Sequence, residues 1–128
     1  MKRVVGIGGI FFKASDPEAL SKWYQTHLGF KLEAWGGAIF KWADAGGAAG
    51  DGKTVWSLFP NDTKYFAPST SPFMINYRVE NLHALLDQLR AEGCTVDPKT
   101  DDSEFGKFGW VMDPEGNRVE LWEAPPGK

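Results

Sequence analysis

The sequence predicts an α+β fold built from two tandem β-α-β-β-β modules. Three observations predict it. The order strand, helix, three strands occurs twice; each helix shows an apolar stripe and a glycine at its end; and matched residues recur at a nearly constant offset. Asp16 and Asn81, Ala19 and Ala84, and Leu20 and Leu85 are 65 apart, Gly29 and Gly93 are 64 apart, and Leu58 and Leu121 are 63 apart. With 128 residues, 42% of them hydrophobic, the chain buries a real core yet is too short for two ordinary domains. The modules, about 1–66 and 67–128, are therefore expected within one domain.

The first strand is the β-rich run Val4 to Ala14. The segment "SDPEALSKWYQTHLGF" follows and reads as a helix: Ser15 or Asp16 caps it, Pro17 suits its first turn, Glu18 completes a capping box, and Gly29 suits its end. Leu20, Trp23, Tyr24, His27 and Leu28 recur at helical spacing and predict one buried stripe. Three β-like runs come next, "KLEAW", "AIFKWAD" and "KTVWSLF", the last two joined by "AGGAAGDG". No helix start follows that glycine-rich stretch, so it reads as a solvated hairpin connection and not as a phosphate cradle. The polar, proline-containing "NDTKYFAPSTSP" reads as a linker.

The order then returns. "FMINYRV" is a strand, and "NLHALLDQLRAEG" a helix with Leu82, Leu85, Leu86 and Leu89 on one face and Gly93 past its end. "CTVDP", "FGWVMD" and "NRVELWE" are again three β-like runs. In the turn "DPEGN", Asp113 can bond the turn backbone, Pro114 fixes φ and Gly116 takes a positive φ.

Charge and composition narrow the function. The net charge of −3 and scattered Lys and Arg argue against nucleic acid. The uncharged run Val4 to Phe12 is far short of a membrane span, and no small-residue cleavage site follows it, so a cytoplasmic protein is expected. Cys94 has no internal disulfide partner, and its place in "GCTVD" reads as a buried thiol.

The two modules, the helix ending "THLGF" and the hairpin "DPEGNRVELWE" resemble the vicinal oxygen chelate superfamily, which includes glyoxalase I, extradiol dioxygenases and bleomycin-resistance proteins. The resemblance covers essentially the whole chain and implies a cupped mixed sheet with helices outside, commonly paired as a homodimer. It also implies four metal-ligand positions on the first and last strands of each module, which fall here on Gly9, Ser57, Met74 and Glu120. Only Glu120 is a suitable ligand: glycine has no side chain, and a thioether is a poor donor to hard divalent ions. No metal or other cofactor is expected. His27 and His83, on the helices, are read as helix-face or capping residues that do not reach the cup.

Strand alternation then assigns the faces. With Glu120 go Arg118 and Trp122; with Met74 go Asn76 and Arg78; with Gly9 go Phe11 and Lys13; with Ser57 go Val55 and Phe59. The opposite parity, including Ile10, Phe12, Ile75, Tyr77, Val79, Val119 and Leu121, is more apolar and is expected to meet the helices. Trp35, Trp42, Trp56 and Trp110 lie on or beside other strands and add to the wall or to ordinary packing. The cup thus has an aromatic wall with a few polar groups, the composition of a small-molecule site. The reading is a binding protein for a partly aromatic or anionic ligand, whose polar end meets Lys13, Asn76 or Arg78. The alternative is a metal-independent lyase or isomerase with Glu120 as catalytic acid or base. A metal-dependent glyoxalase-like lyase or dioxygenase is the third reading.

Overall fold

Each helix begins at a side chain that caps it, for α1 one of the two expected. In the computed structural model, which describes residues 2–45 and 51–126, Asp16 accepts from the Ala19 amide at 3.1 Å and starts helix α1 (Pro17–Leu28). Asn81 accepts from the Ala84 amide at 3.3 Å and starts α2 (Leu82–Ala91). Gly29 closes α1 in the left-handed region at φ 70°, where a Cβ is disfavoured. Glu18 pairs with Lys22 one turn on instead of closing a capping box.

Eight strands follow the sequence in the order β1 (Val4–Ala14), β2 (Ala38–Lys41), β3 (Lys53–Pro60), β4 (Phe73–Val79), β5 (Thr95–Val96), β6 (Asp101–Ser103), β7 (Gly106–Met112) and β8 (Arg118–Glu123). They form one open mixed sheet, β2-β3-β1-β4-β8-β7-β5, with β6 hydrogen-bonded to β7. At its centre β1 and β4 run antiparallel, and each pairs in parallel with the last strand of its own half, β3 or β8. Gly9 therefore faces Asn76 across the centre, while Phe11 faces Met74. The offset near 65 in the sequence thus becomes an approximate two-fold relation between two halves.

The halves differ after their helices. "KLEAW" forms no strand: the Glu33 amide donates to Gly37 O at 2.7 Å and Gly36 N to Glu33 O at 2.9 Å, closing a turn with Gly36 at φ 96°. In the second half β6 is an additional strand, held in a hairpin where Gly106 takes φ 121°. The connection "AGGAAGDG" lies largely outside the described residues, and a 3-10 turn, Trp42–Ala45, leads into it.

Helix α2 packs as expected. Leu82, Leu85 and Leu86 are buried against Val79 and Leu121, with Tyr77 and Val119 packed alongside. The α1 stripe does not. Trp23 and Leu28 are 50% and 57% exposed, and only Ser21 of this helix is buried. Tyr24 alone makes a close aromatic seat there, against Phe12, Phe30 and Trp56, so the helix touches the sheet on a narrow line. Cys94 is exposed, not buried, because it sits in the turn just after Gly93, before β5 begins to pair. His27 and His83 lie exposed on their helices, and His83 meets Asp102 at 3.0 Å. Among the described residues no helix is long and apolar enough to cross a membrane.

A Cβ at Gly109 of β7 would lie 2.7 Å from Leu86 Cδ1, so that glycine gives α2 its seat. Leu86→Ala is expected to cost about 2–5 kcal/mol in chemical denaturation. Gly109→Ala should destabilise the wild type, and should cost distinctly less in the Leu86→Ala background, where the clashing methyls are gone. Additive costs would place the contact elsewhere.

Candidate functional site

Glu120 sits mid-strand on β8, and its direct neighbours across the sheet are Asn76 on β4 and Trp110 on β7. Residues opposite one another in adjacent strands share a face, so this register alone brings three polar groups together. Asn76 Nδ2 donates to Glu120 Oε1 at 2.7 Å, and Trp110 Nε1 donates to Oε2 at 2.9 Å. The third donor comes from the segment between the halves: Tyr65 Oη donates to Oε2 at 2.5 Å. Glu120 is only 1% exposed. Burial of a carboxylate is costly unless hydrogen bonds replace its water, and here three neutral donors do so. No described Lys, Arg or His lies within ion-pairing distance of it.

Tyr65 is 39% exposed, yet its hydroxyl points inward. Burial of that end, and then the Glu120 charge beside it, push the phenol well above its ordinary value of 10.0. The hydroxyl therefore remains a donor. Its ring stacks parallel on Phe59, 5.6 Å between centroids and 3° between planes.

Above Glu120 opens a cavity of about 360 Å³. Of the residues expected to face the cup, Phe11, Ser57, Phe59, Asn76, Glu120 and Trp122 line it together, with Val55 beside them. Phe108 stacks on Trp122 at 6.3 Å and 22° and completes the opposite wall. Gly9 lies under the Phe11 ring, and the other four sit elsewhere. Met74 is wholly buried beneath the floor with Phe11, Phe66 and Trp110. Lys13 lies over the Phe66 ring, 5.8 Å from its centroid. Arg118 pairs with Asp97 at 3.1 Å and stacks on Trp110 at 4.8 Å, so it braces a donor of Glu120 from behind. Arg78 lies between the Trp42 and Trp122 rings and lines a separate depression with Glu80 and Glu123. Neither arginine pairs with Glu120.

Sequence reasoning missed Gly8, Lys53, Tyr65, Phe105 and Phe108, all of which line the cavity. Gly8 enters because β1 shifts register between Ile7 and Gly9, which breaks strict alternation. The one local signal for Tyr65 was "YF", an aromatic pair inside an otherwise polar linker; Phe66 beside it is fully buried. Among the tryptophans, Trp35 lines the cavity, Trp56 packs with Tyr24 under α1, and Trp42 fills the space above Gly6 and Gly52.

The residues at the four metal-ligand positions do not fit a divalent ion. The Phe11 ring covers Gly9, where a Cβ would fall 2.7 Å from it. Met74 is packed in the core, Ser57 is a neutral hydroxyl, and the Glu120 oxygens already accept three hydrogen bonds. Among the described residues no three of His, Cys, Asp and Glu gather as a ligand set.

The sheet of two related halves around a cup defines a known class. The chain belongs to the Glyoxalase/Bleomycin resistance protein/Dioxygenase superfamily, whose model matches residues 6–121. Solved structures share the fold. A methylmalonyl-CoA epimerase in complex with methylmalonyl-CoA and NH4+ superposes with a TM-score of 0.69 at 16% identity, covering 96% of each chain. The methylmalonyl-CoA epimerase of Mycobacterium tuberculosis gives 0.63 at 20% identity, covering 96% of this chain and 90% of that one. A superfamily member from Vibrio splendidus 12B01 gives 0.56 at 14% identity, covering 96% and 99%. At such identities the likeness carries the fold alone. No curated protein matches the sequence.

Tyr65→Phe tests the cluster by removing one hydroxyl while keeping the ring stack. It is expected to cost about 1–3 kcal/mol near neutral pH, the range for a hydrogen bond to a charged group. The folded-state value of this phenol lies above its unfolded value of 10.0. Its contribution is therefore complete below that value and declines as pH rises beyond it. Denaturant unfolding at pH about 9 and about 11 should show the wild type losing more stability than Tyr65→Phe. Equal losses would mean that Tyr65 ionises freely in the native state.

Proposed function

We propose that this chain binds a flat, partly aromatic small molecule in the cup without a metal, with Glu120 as the fixed polar anchor of the site. One observation carries the reading: a fully buried carboxylate, held by Asn76, Trp110 and Tyr65, at the base of a cavity walled by aromatic rings. Facing ring pairs, Phe59 with Tyr65 and Phe108 with Trp122, offer stacking surfaces to a planar ligand. A volume of about 360 Å³ suits a small organic molecule. The donor set supports the metal-free part of this reading: Glu120 is the one oxygen anion at the four positions, and one of its oxygens already takes two hydrogen bonds from neutral donors.

The second reading, a metal-independent lyase or isomerase, has the Tyr65–Glu120 hydrogen bond in its favour, since it joins a potential proton carrier to the cavity. The binding reading is preferred because Glu120 is locked by three partners from three separate segments, which suits an anchor better than a group that must gain and lose protons. Turnover of a bound ligand, monitored by mass spectrometry, decides between them.

Protein purified without chelator or a histidine tag should hold well under one equivalent of Zn, Ni, Mn or Fe, and chelator should leave its melting temperature unchanged. Stoichiometric metal with a chelator-sensitive melt would overturn the metal-free reading. We also propose a homodimer, supported by the apolar side chains left exposed on β1 and α1, among them Ile7, Ile10, Trp23 and Leu28. Light scattering should give about 28 kDa, twice the chain mass of 14.2 kDa. A monomer at about 10 μM would count against it.

A further inference from the structure

The cup contains a buried carboxylate that pairs with no basic side chain among the described residues, and this bears on the charge of what enters it. Resting on the binding reading above, we infer that the ligand is an organic cation: a planar or partly apolar molecule carrying an ammonium or similar N–H donor group, seated head-down over Glu120 and Asn76.

Four observations converge on that sign. First, all three partners of Glu120 are neutral donors, so its charge is solvated but not cancelled. Two of the basic residues that would have favoured an anionic ligand are turned to other work, Lys13 over Phe66 and Arg118 on Asp97. Second, the floor has acceptors to spare. Glu120 Oε2 takes two hydrogen bonds, but Oε1 takes only the one from Asn76, and a carboxylate oxygen accepts two. Asn76, itself 3% exposed, uses its amide nitrogen on Glu120 and leaves Oδ1 buried with no donor. A buried acceptor without a partner is costly, and its unmet lone pairs add to the negative potential at the floor of the cup.

Third, the position against those acceptors admits only glycine. Gly8 lines the cavity, and a Cβ there would stand 2.3 Å from Asn76 Oδ1 and 3.0 Å from the Trp122 ring. Any other residue would press on the acceptor and the wall together. Fourth, the walls are aromatic. Ring faces carry negative potential, so walls that stack a flat group also attract a positive one, most strongly where water is excluded. Lys53 is the one basic residue among the described lining residues. It is only partly buried at the start of β3, where solvent screens its charge; the charge of Glu120 has no such screening.

The test uses three probes of one shape and three charges: naphthylmethylammonium, naphthylmethanol and naphthoate, titrated into the intact protein by calorimetry at neutral pH. The ammonium is expected to bind about tenfold or more tighter than the alcohol, the order of a charge-assisted hydrogen bond, and naphthoate weakest. Glu120→Gln keeps the shape of the side chain and removes its charge. It should bring the ammonium and the alcohol to within about twofold of each other. If the alcohol or naphthoate binds wild-type protein as tightly as the ammonium, the cationic assignment is wrong although the cup binds flat ligands. If none of the three binds below about 1 mM, the binding reading fails and takes the assignment with it. The wild-type ranking decides the charge even if the variant does not fold.

Discussion

A single carboxylate with no cation beside it among the described residues holds the centre of this molecule together. Glu120 is buried on β8, and its three donors come from β4, from β7 and from the segment that joins the two halves. Each bond is short-range, but together they tie the β7–β8 hairpin to two stretches distant from it in sequence, β4 and the joining segment. The arrangement has a cost: any loosening of β4, β7 or the joining segment leaves a charge in a poor solvent. The neighbouring contacts fit that demand. Arg118 covers the Trp110 ring while pairing with Asp97, and Phe66, next to Tyr65, fills the core with Met74.

The same constraint governs the loops. Asp113 Oδ1 accepts from the amides of Glu115 and Asn117, both at 2.9 Å, and Asn117 then accepts from Ser71 Oγ at 2.6 Å. The turn before β8 is thereby fastened to the segment that delivers Tyr65. Hydrogen bonds from Asn117, first of all its side chain, hold Asp113 below the ordinary carboxylate range, so the turn keeps its charge at neutral pH. The cup's outer wall is fixed similarly, since Trp122 Nε1 donates to Phe105 O at 2.9 Å and keeps the β6–β7 turn over the cavity.

Within its superfamily the chain keeps the sheet of two related halves. Where the resemblance implies ligands on the first strands of both halves, a glycine and a methionine stand, and the Phe11 ring occupies the volume above the glycine. An aromatic surface and one hydrogen-bonded acid remain. A fold of this kind hosts a site without dictating its reaction, because cup shape derives from backbone pairing and chemistry from the few side chains that point inward.

The repeat, both helices, the cap of the first, the DPEGN turn and the cup-facing set Phe11, Ser57, Phe59, Asn76, Glu120 and Trp122 were legible in the sequence. These features are local: capping and turn chemistry act over a few residues, and strand alternation fixes a face two residues at a time. What the tertiary structure decided is everything that depends on distance across the sheet. Parity placed Lys13, Met74, Arg78 and Arg118 on the cup side of their strands, but near strand ends and beneath neighbouring rings a side chain follows its nearest partner, so each left the cavity for Phe66, the core, the Trp42–Trp122 gap or Asp97. Parity likewise gave no notice of Gly8, which a bulge brought in, or of Tyr65, which arrived on a segment that alternation does not describe. Sequence periodicity specifies the face of an element; only the packed sheet specifies which donor meets a buried charge.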